Sequence, residues 1–284
     1  MLPPDVIPTI LSYCDQSTLA AVCRVNRNWS KHALAVLYAA PTITTIDQLD
    51  AFFFTGSQQA LARCVQVFTL LRLAHRWQLN GHFVLGNIAQ RCPGITTLNL
   101  EGCRITDNVL AELWTTASGC ALTPEDLPRV IHGPQGLHLL NENGERYTEL
   151  VCRLPRLRQL SLAYCSITAA GGHLLASIKT LRRLVAHTTN IDDQTVKAVL
   201  QGCLDLEYLD VSNCEQLTDQ SIGLINTLGS NLRGVSFAGC YGILQASSHP
   251  AVVNGLDWED VLSDDFSGSD MEDAAAGVFE ISLS

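Results

Sequence analysis

Charge is scarce in this chain: only 16% of its 284 residues are Asp, Glu, Lys or Arg, and aromatic residues make up 6%. With 47% apolar content, that excludes a solvated linker and favours a folded body. The net charge is −10, and it is localised. Of 28 acids, nine lie from Asp257 onward, where there is no lysine or arginine; the preceding 256 residues hold nineteen acids against eighteen bases. A body so close to neutral argues against nucleic acid as the ligand, because duplex binding rests on several cationic contacts to phosphate. Long apolar runs are missing too. None approaches the roughly eighteen residues of a membrane span, so no membrane association is expected. The start, Met1-Leu2-Pro3-Pro4-Asp5, lacks a cationic segment followed by an apolar core, so the expectation is no signal peptide, reduced thiols and a place in the cytoplasm and/or nucleus.

Metal and catalytic grammar is also absent. No two of the eleven cysteines are separated by two to four residues, so the paired cysteines of a zinc finger are missing. There is no phosphate-cradling glycine loop ending in Lys-Ser or Lys-Thr, no Gly-x-Ser-x-Gly elbow and no dinucleotide fingerprint. No cofactor, metal or catalytic residue is therefore expected. A catalytic cysteine with a remote histidine stays open, since such partners meet only in the fold.

What is present begins at the amino terminus. Pro3 and Pro4 suit a helix start, and Val6, Ile7, Ile10 and Leu11 follow at three- and four-residue steps. Asp15 and Ser17 can cap a second helix carrying Leu19, Ala20, Val22 and Cys23; Asn28 interrupts before a third stretch from Trp29 to Tyr38. A unit of about forty residues rarely encloses all of its own apolar surface, so these helices are expected to dock on the downstream domain or on a separate protein.

A second pattern starts at Ile95: apolar, two residues, apolar, one residue, apolar, two residues, then usually cysteine. It reads Ile95-x-x-Leu98-x-Leu100-x-x-Cys103, and returns at Leu157 to Cys165, Leu206 to Cys214 and Leu232 to Cys240. Leu181-x-x-Leu184-x-Ala186 fits between, with Thr189 in the cysteine place. The last four copies recur at about 25 residues, a repeat period of stacked coils. Each copy goes on to an aliphatic residue, a polar helix start and a helical stripe, as in Ile191-Asp192-Asp193 before Val196, Val199 and Leu200. One coil is thus strand, bend, helix. Strand and helix differ in width, so stacked coils curve with strands inside. Val65-x-x-Phe68-x-Leu70 is a degenerate first coil, preceded by a helix over about 46–54. Between Cys103 and Leu157 no clean copy occurs; an aberrant coil with a long loop is expected, with a helix start at Thr123-Pro124-Glu125-Asp126-Leu127 and an irregular strand over Gly136–Leu140 before an Asn143-Gly144 turn.

The amino-terminal order of Leu2, Pro3, Val6, Ile10, Leu11, Leu19, Val22 and Trp29 resembles the F-box, and the cysteine-bearing repeat resembles the leucine-rich repeats of many F-box proteins. Ser12-Tyr13-Cys14-Asp15 departs from the motif's usual leucine-rich or aromatic middle. The expected fold is α/β: a three-helix F-box over 1–42, a helical linker or cap over 43–64, a curved solenoid over 65–245 with an irregular insertion at about 119–150, and an acidic tail over 246–284 whose composition favours disorder. The resemblance implies a non-enzymatic substrate receptor of an SCF-type ubiquitin ligase. Its F-box residues would meet a Skp-type adaptor and, through it, a cullin scaffold, while the repeats hold a protein target. A structural or regulatory repeat protein that binds a partner without ubiquitination is the competing reading; a plain amino-terminal cap on the array is the competing reading of the helices.

Side chains alternate along each strand, so residues between the buried leucines face the inner wall. Among them Arg183, His187, Tyr208 and Asp210 are the candidate target-binding residues, since tyrosine and arginine are favoured anchors; an ordinary solvated face is the alternative. In the tail, Ser267 and Ser269 each have an acid three residues on, a pattern acidophilic kinases accept.

Overall fold

The computed structural model describes residues 6–41, 43–55, 64–120, 122, 125–133, 136–140 and 143–244. Three helices come first: α1 (Val6–Ser12), α2 (Gln16–Val22) and α3 (Arg27–Ala39). Asp15 caps α2 by accepting the Thr18 amide at 2.6 Å. Asn28 does not interrupt the third helix. It lies inside α3, and the cap is Asn26, whose side chain accepts the Trp29 amide at 3.0 Å; an amide side chain one turn before a helix fits either position in sequence. Ile7, Leu11, Leu19 and Ala33 form a small core of their own, separate from the core of the rest of the chain. Among the described side chains of these helices, Tyr38 near the end of α3 reaches the larger core, 6.4 Å ring to ring from Phe52, and the Ala39 carbonyl accepts the Gln66 amide at 2.9 Å.

Helix α4 (Ile46–Thr55) closes the near end of the array. Its Phe53 stacks on Phe68 of the first strand at 6.0 Å, so this helix is part of the solenoid core. Six short parallel strands then line one wall: β1 (Val67–Thr69), β2 (Thr97–Asn99), β7 (Gln159–Ser161), β8 (Arg183–Val185), β9 (Tyr208–Asp210) and β10 (Gly234–Ser236), hydrogen-bonded in that order. Their registers keep the apolar frame in step: Phe68, Leu98, Leu160, Leu184, Leu209 and Val235 stand side by side, each at most 2% exposed. Every one-residue slip would turn this row to the other face, which fixes the stacking. The opposite wall carries α5 (Gly81–Arg91), α6 (Asp107–Leu110), α7 (Ala169–Leu175), α8 (Asp193–Gly202) and α9 (Asp219–Leu228).

A ladder of aspartates ties one coil to the next where the helices begin. Asp107 accepts the Thr168 amide at 2.9 Å and its hydroxyl at 2.5 Å. Asp193 accepts the Thr218 amide at 3.0 Å, its hydroxyl at 2.6 Å and the Ser221 hydroxyl at 2.5 Å. Asp219 accepts the Leu244 amide at 2.7 Å. In the intervening coil Ala169 takes the aspartate place, and in the coil after it Asp192, standing where Thr168 and Thr218 stand, caps its own helix by accepting the Thr195 amide. There α7 approaches closely: a Cβ on Gly172 would come within 2.5 Å of the Thr195 hydroxyl oxygen.

The stretch between the second and third coils is not a loop. It is a four-stranded antiparallel sheet in the order β3 (Trp114–Thr116), β6 (Arg146–Cys152), β5 (Gly136–Leu140), β4 (Val130–Gly133). Buried Trp114 anchors it, its indole donating to the Ser177 hydroxyl at 2.7 Å. Gly136–Leu140 is the strand expected there, and Gly144 (φ 76°) sits in the turn that follows. Of the expected helix start, Thr123 and Pro124 lie outside the described residues; a single 3-10 turn covers Leu127–Arg129. The acidic tail also lies outside them. Among the described residues no helix is long and apolar enough to cross a membrane.

Candidate functional site

The cysteines of the frame are structural. The Cys165 thiol donates to the Leu100 carbonyl of the preceding coil at 3.4 Å, Cys214 to Ala186 at 3.3 Å, Cys240 to Val211 at 3.1 Å and Cys203 to Leu175 at 3.5 Å. Thr189, in the cysteine place, does the same within its own coil, donating to Ala186 at 2.7 Å. Burial pushes the thiols of Cys92, Cys103, Cys165 and Cys203 up to about 12, so they stay protonated and poorly nucleophilic. Among the described residues no group of three His, Cys, Asp or Glu side chains is placed to hold a metal ion.

Immediately before that frame position the backbone is left-handed in five coils: Gly102 (φ 67°), Tyr164 (58°), Thr188 (56°), Asn213 (55°) and Gly239 (73°). Glycine and asparagine adopt this conformation at little cost, whereas a β-branched threonine there is strained. At Gly239 space adds a second reason, since a Cβ would lie 2.0 Å from the Asn213 side-chain oxygen. The turn lifts Tyr164 out to 59% exposure, edge-on to the His187 ring at 4.8 Å.

The inner wall sorts the four expected target-binding residues into two pairs. Arg183 is 4% exposed, its guanidinium 4.7 Å over the Tyr208 ring. Asp210 is 3% exposed and accepts the Ser212 amide at 2.9 Å and hydroxyl at 2.6 Å; Ser212 in turn meets the Ser236 hydroxyl at 2.7 Å. Both serve the wall itself. Tyr208 and His187 are half-buried and reachable; His187 pairs with Tyr164 of the preceding coil at the end of the strands, whereas Tyr208 lies at their start, level with Arg183. Sequence reasoning missed Tyr164 because strand alternation does not extend into the turn. The column of Gly and Asn at its frame position was the available signal.

On the amino-terminal unit, α1 has two faces. Ile7 and Leu11 point into the small core at 4% and 0% exposure, while Val6, Ile10 and Tyr13, at helical spacing, lie 38%, 41% and 68% exposed. Of the expected adaptor-facing set, Leu11 and Leu19 are internal, Val22 and Trp29 are half-buried against the core, and Val6 and Ile10 face out. Leu2 and Pro3 lie outside the described residues. Tyr13 and the exposed Val25 belong to the outward surface although the sequence had not marked them.

No family model matches the chain. It is 29% identical over 147 residues to the ribonuclease inhibitor of Sus scrofa, a match covering 47% of this chain and 30% of that protein; the chain thus spans under a third of the curated relative's length. Among solved structures, the LRR ectodomain of the receptor kinase SOBIR1 from Arabidopsis thaliana matches at 14% identity over 56% of this chain and 64% of that one, with a TM-score of 0.29. A chain of the yeast Rad7 and Elc1 complex matches at 13% identity over 92% of this chain and 66% of that one, with a TM-score of 0.45. The fold is a leucine-rich-repeat solenoid of parallel strands and outer helices.

Proposed function

We propose that this protein is the substrate-recognition subunit of an SCF-type (cullin-RING) ubiquitin ligase, working in the cytoplasm or nucleus with no catalytic residue of its own. The observation that carries this reading is the outward stripe Val6, Ile10 and Tyr13 on a helical unit whose own core is four residues. Aliphatic side chains contribute about 1.5–3 kcal/mol each when fully removed from water, so a stripe of this kind favours cover by a second protein. A Skp-type adaptor is the proposed cover, with a cullin scaffold reached through it. The solenoid, joined to the helices through Tyr38 and the Ala39–Gln66 hydrogen bond, then holds the protein target at a fixed distance from the conjugating machinery. Rate enhancement in this arrangement is a proximity effect. The Tyr164–His187 pair at the end of the strands and Tyr208 at their start are the proposed contacts for the target.

Co-purification of the full chain with a Skp-type adaptor tests the reading. The double variant Val6→Asp/Ile10→Asp changes only outward positions and should reduce recovery of the adaptor by about a hundredfold, a loss of ~3 kcal/mol for two buried charges at an interface. Equal recovery of both proteins would reject the ligase assignment in favour of a repeat protein that binds its partner without ubiquitination.

A further inference from the structure

The edge of the solenoid where the strands begin is cationic, although the body as a whole is near neutral. The residues that precede the strands stack in columns from coil to coil, because each backbone amide there bonds to the coil before: Arg182 to the Arg158 carbonyl at 2.7 Å, Glu207 to Arg182 at 2.8 Å, Arg233 to Glu207 at 2.7 Å. The columns bring together Arg156, Arg158, Lys179, Arg182 and Arg233, with Asp205 and Glu207 the carboxylates among them. Glu207 is shared, 3.5 Å from Arg182 and 3.3 Å from Arg233. Arg156, Arg158 and Lys179 are exposed and have no ion-pair partner among the described residues. Like charges on adjacent parallel strands repel at a spacing of about 4.8 Å, so the Arg158–Arg182 step is a place where an added polyanion relieves strain in the field.

We propose that this edge is a docking site for an acidic peptide, and that its occupant is the chain's own segment 257–284. Complementarity is the first support: that segment holds nine carboxylates and no lysine or arginine. Reach is the second. The described chain ends at Leu244, held by Asp219 where the helices start, and twelve residues separate it from Asp257. Twelve residues span up to ~40 Å. The path needed is about the ~15 Å length of a ten-residue outer helix plus three strand spacings of ~4.8 Å. A tether of this length keeps the local concentration in the millimolar range, so individually weak surface pairs suffice. Docking would cover Arg182 beside Arg183 and Tyr208 of the inner wall, and phosphates on Ser267 or Ser269 would strengthen it. The inference is independent of the ligase reading.

The chain has only three lysines, and they lie in different places: Lys31 on α3, Lys197 on α8 and Lys179 on the cationic edge, all exposed. Zero-length carbodiimide cross-linking of the full chain, with peptides mapped by mass spectrometry, therefore reports where the tail carboxylates rest. The expected result is roughly fivefold or more tail cross-linking at Lys179 over either other lysine, falling severalfold at ~1 M salt, where the screening length is ~3 Å. R156E/R158E, at two exposed positions, should reduce it likewise. Equal yields at the three lysines, or a Lys179 yield indifferent to salt, overturns the proposal; the salt series decides even if the double variant does not fold. A mixture of unlabelled and 15N-labelled chains separates occupants: cross-links confined to one isotope support the intramolecular tail, and mixed ones mean a second copy and contradict it.

Discussion

In the solenoid each strand places its central apolar residue at 2% exposure or less, while in the amino-terminal helices the aliphatic residues of α1 divide evenly, Ile7 and Leu11 inward and Val6 and Ile10 outward. Both regions consist of short elements that are marginal alone. The solenoid gains from translation: a coil has a neighbour on either side, so one register serves all six strands and the aspartate ladder serves the helix starts. The three helices fold mainly on each other, touch the array through Tyr38 and Ala39, and leave Val6, Ile10, Tyr13 and Val25 exposed. Hidden area, cooperative strength and low reactivity go with the array; exposed apolar area goes with the helices.

The largest expected effect is in the array. Leu209→Ala removes a side chain from the centre of the row and should cost about 3–4 kcal/mol in chemical denaturation of the whole solenoid, with a cavity that neighbouring coils cannot fill. Asp193→Ala should cost about 3 kcal/mol, since it leaves the Thr218 amide and hydroxyl and the Ser221 hydroxyl without their acceptor. If the two regions are as separate as their cores, Leu11→Ala should cost about 2–3 kcal/mol in the helices alone: hydrogen exchange should accelerate over residues 6–39 and remain unchanged over 157–240. Acceleration in both would merge what the cores divide. The smallest effect concerns the thiols. At pH 8, iodoacetamide should modify exposed Cys120 and leave Cys92, Cys103, Cys165 and Cys203 intact until denaturant is added. The folded thiols keep their protons to about pH 12, whereas an unfolded thiol loses its own near 9. The folded form therefore binds more protons in that window, and the stability these thiols confer is complete below pH 9 and disappears as pH rises toward 12.

The solenoid was legible because its signal is translational: Leu98, Leu160, Leu184, Leu209 and Val235 recur at fixed offsets, and equal offsets become equal registers. The cysteine positions were legible for the same reason. The antiparallel insertion was not, since β4 and β5 carry glycines and irregular alternation, and β5 meets β6 with a register shift at Leu139 and Leu140. For the site, strand alternation correctly put Arg183 and Asp210 on the inner wall, but it says nothing of depth: Tyr208 covers one and Ser212 engages the other. Tyr13 was read as a departure from a motif, when its spacing from Val6 and Ile10 places it on their face.

Hydrogen exchange of the full chain with and without a Skp-type adaptor bears most directly on the contrast between a sealed array and an unfinished helical unit. Amides of residues 6–13 and 23–26 should gain at least about tenfold protection on adding adaptor, with the strands from Gln159 to Ser236 unaltered. Unchanged exchange over α1 at saturating adaptor, or protection confined to the strands, would contradict the account.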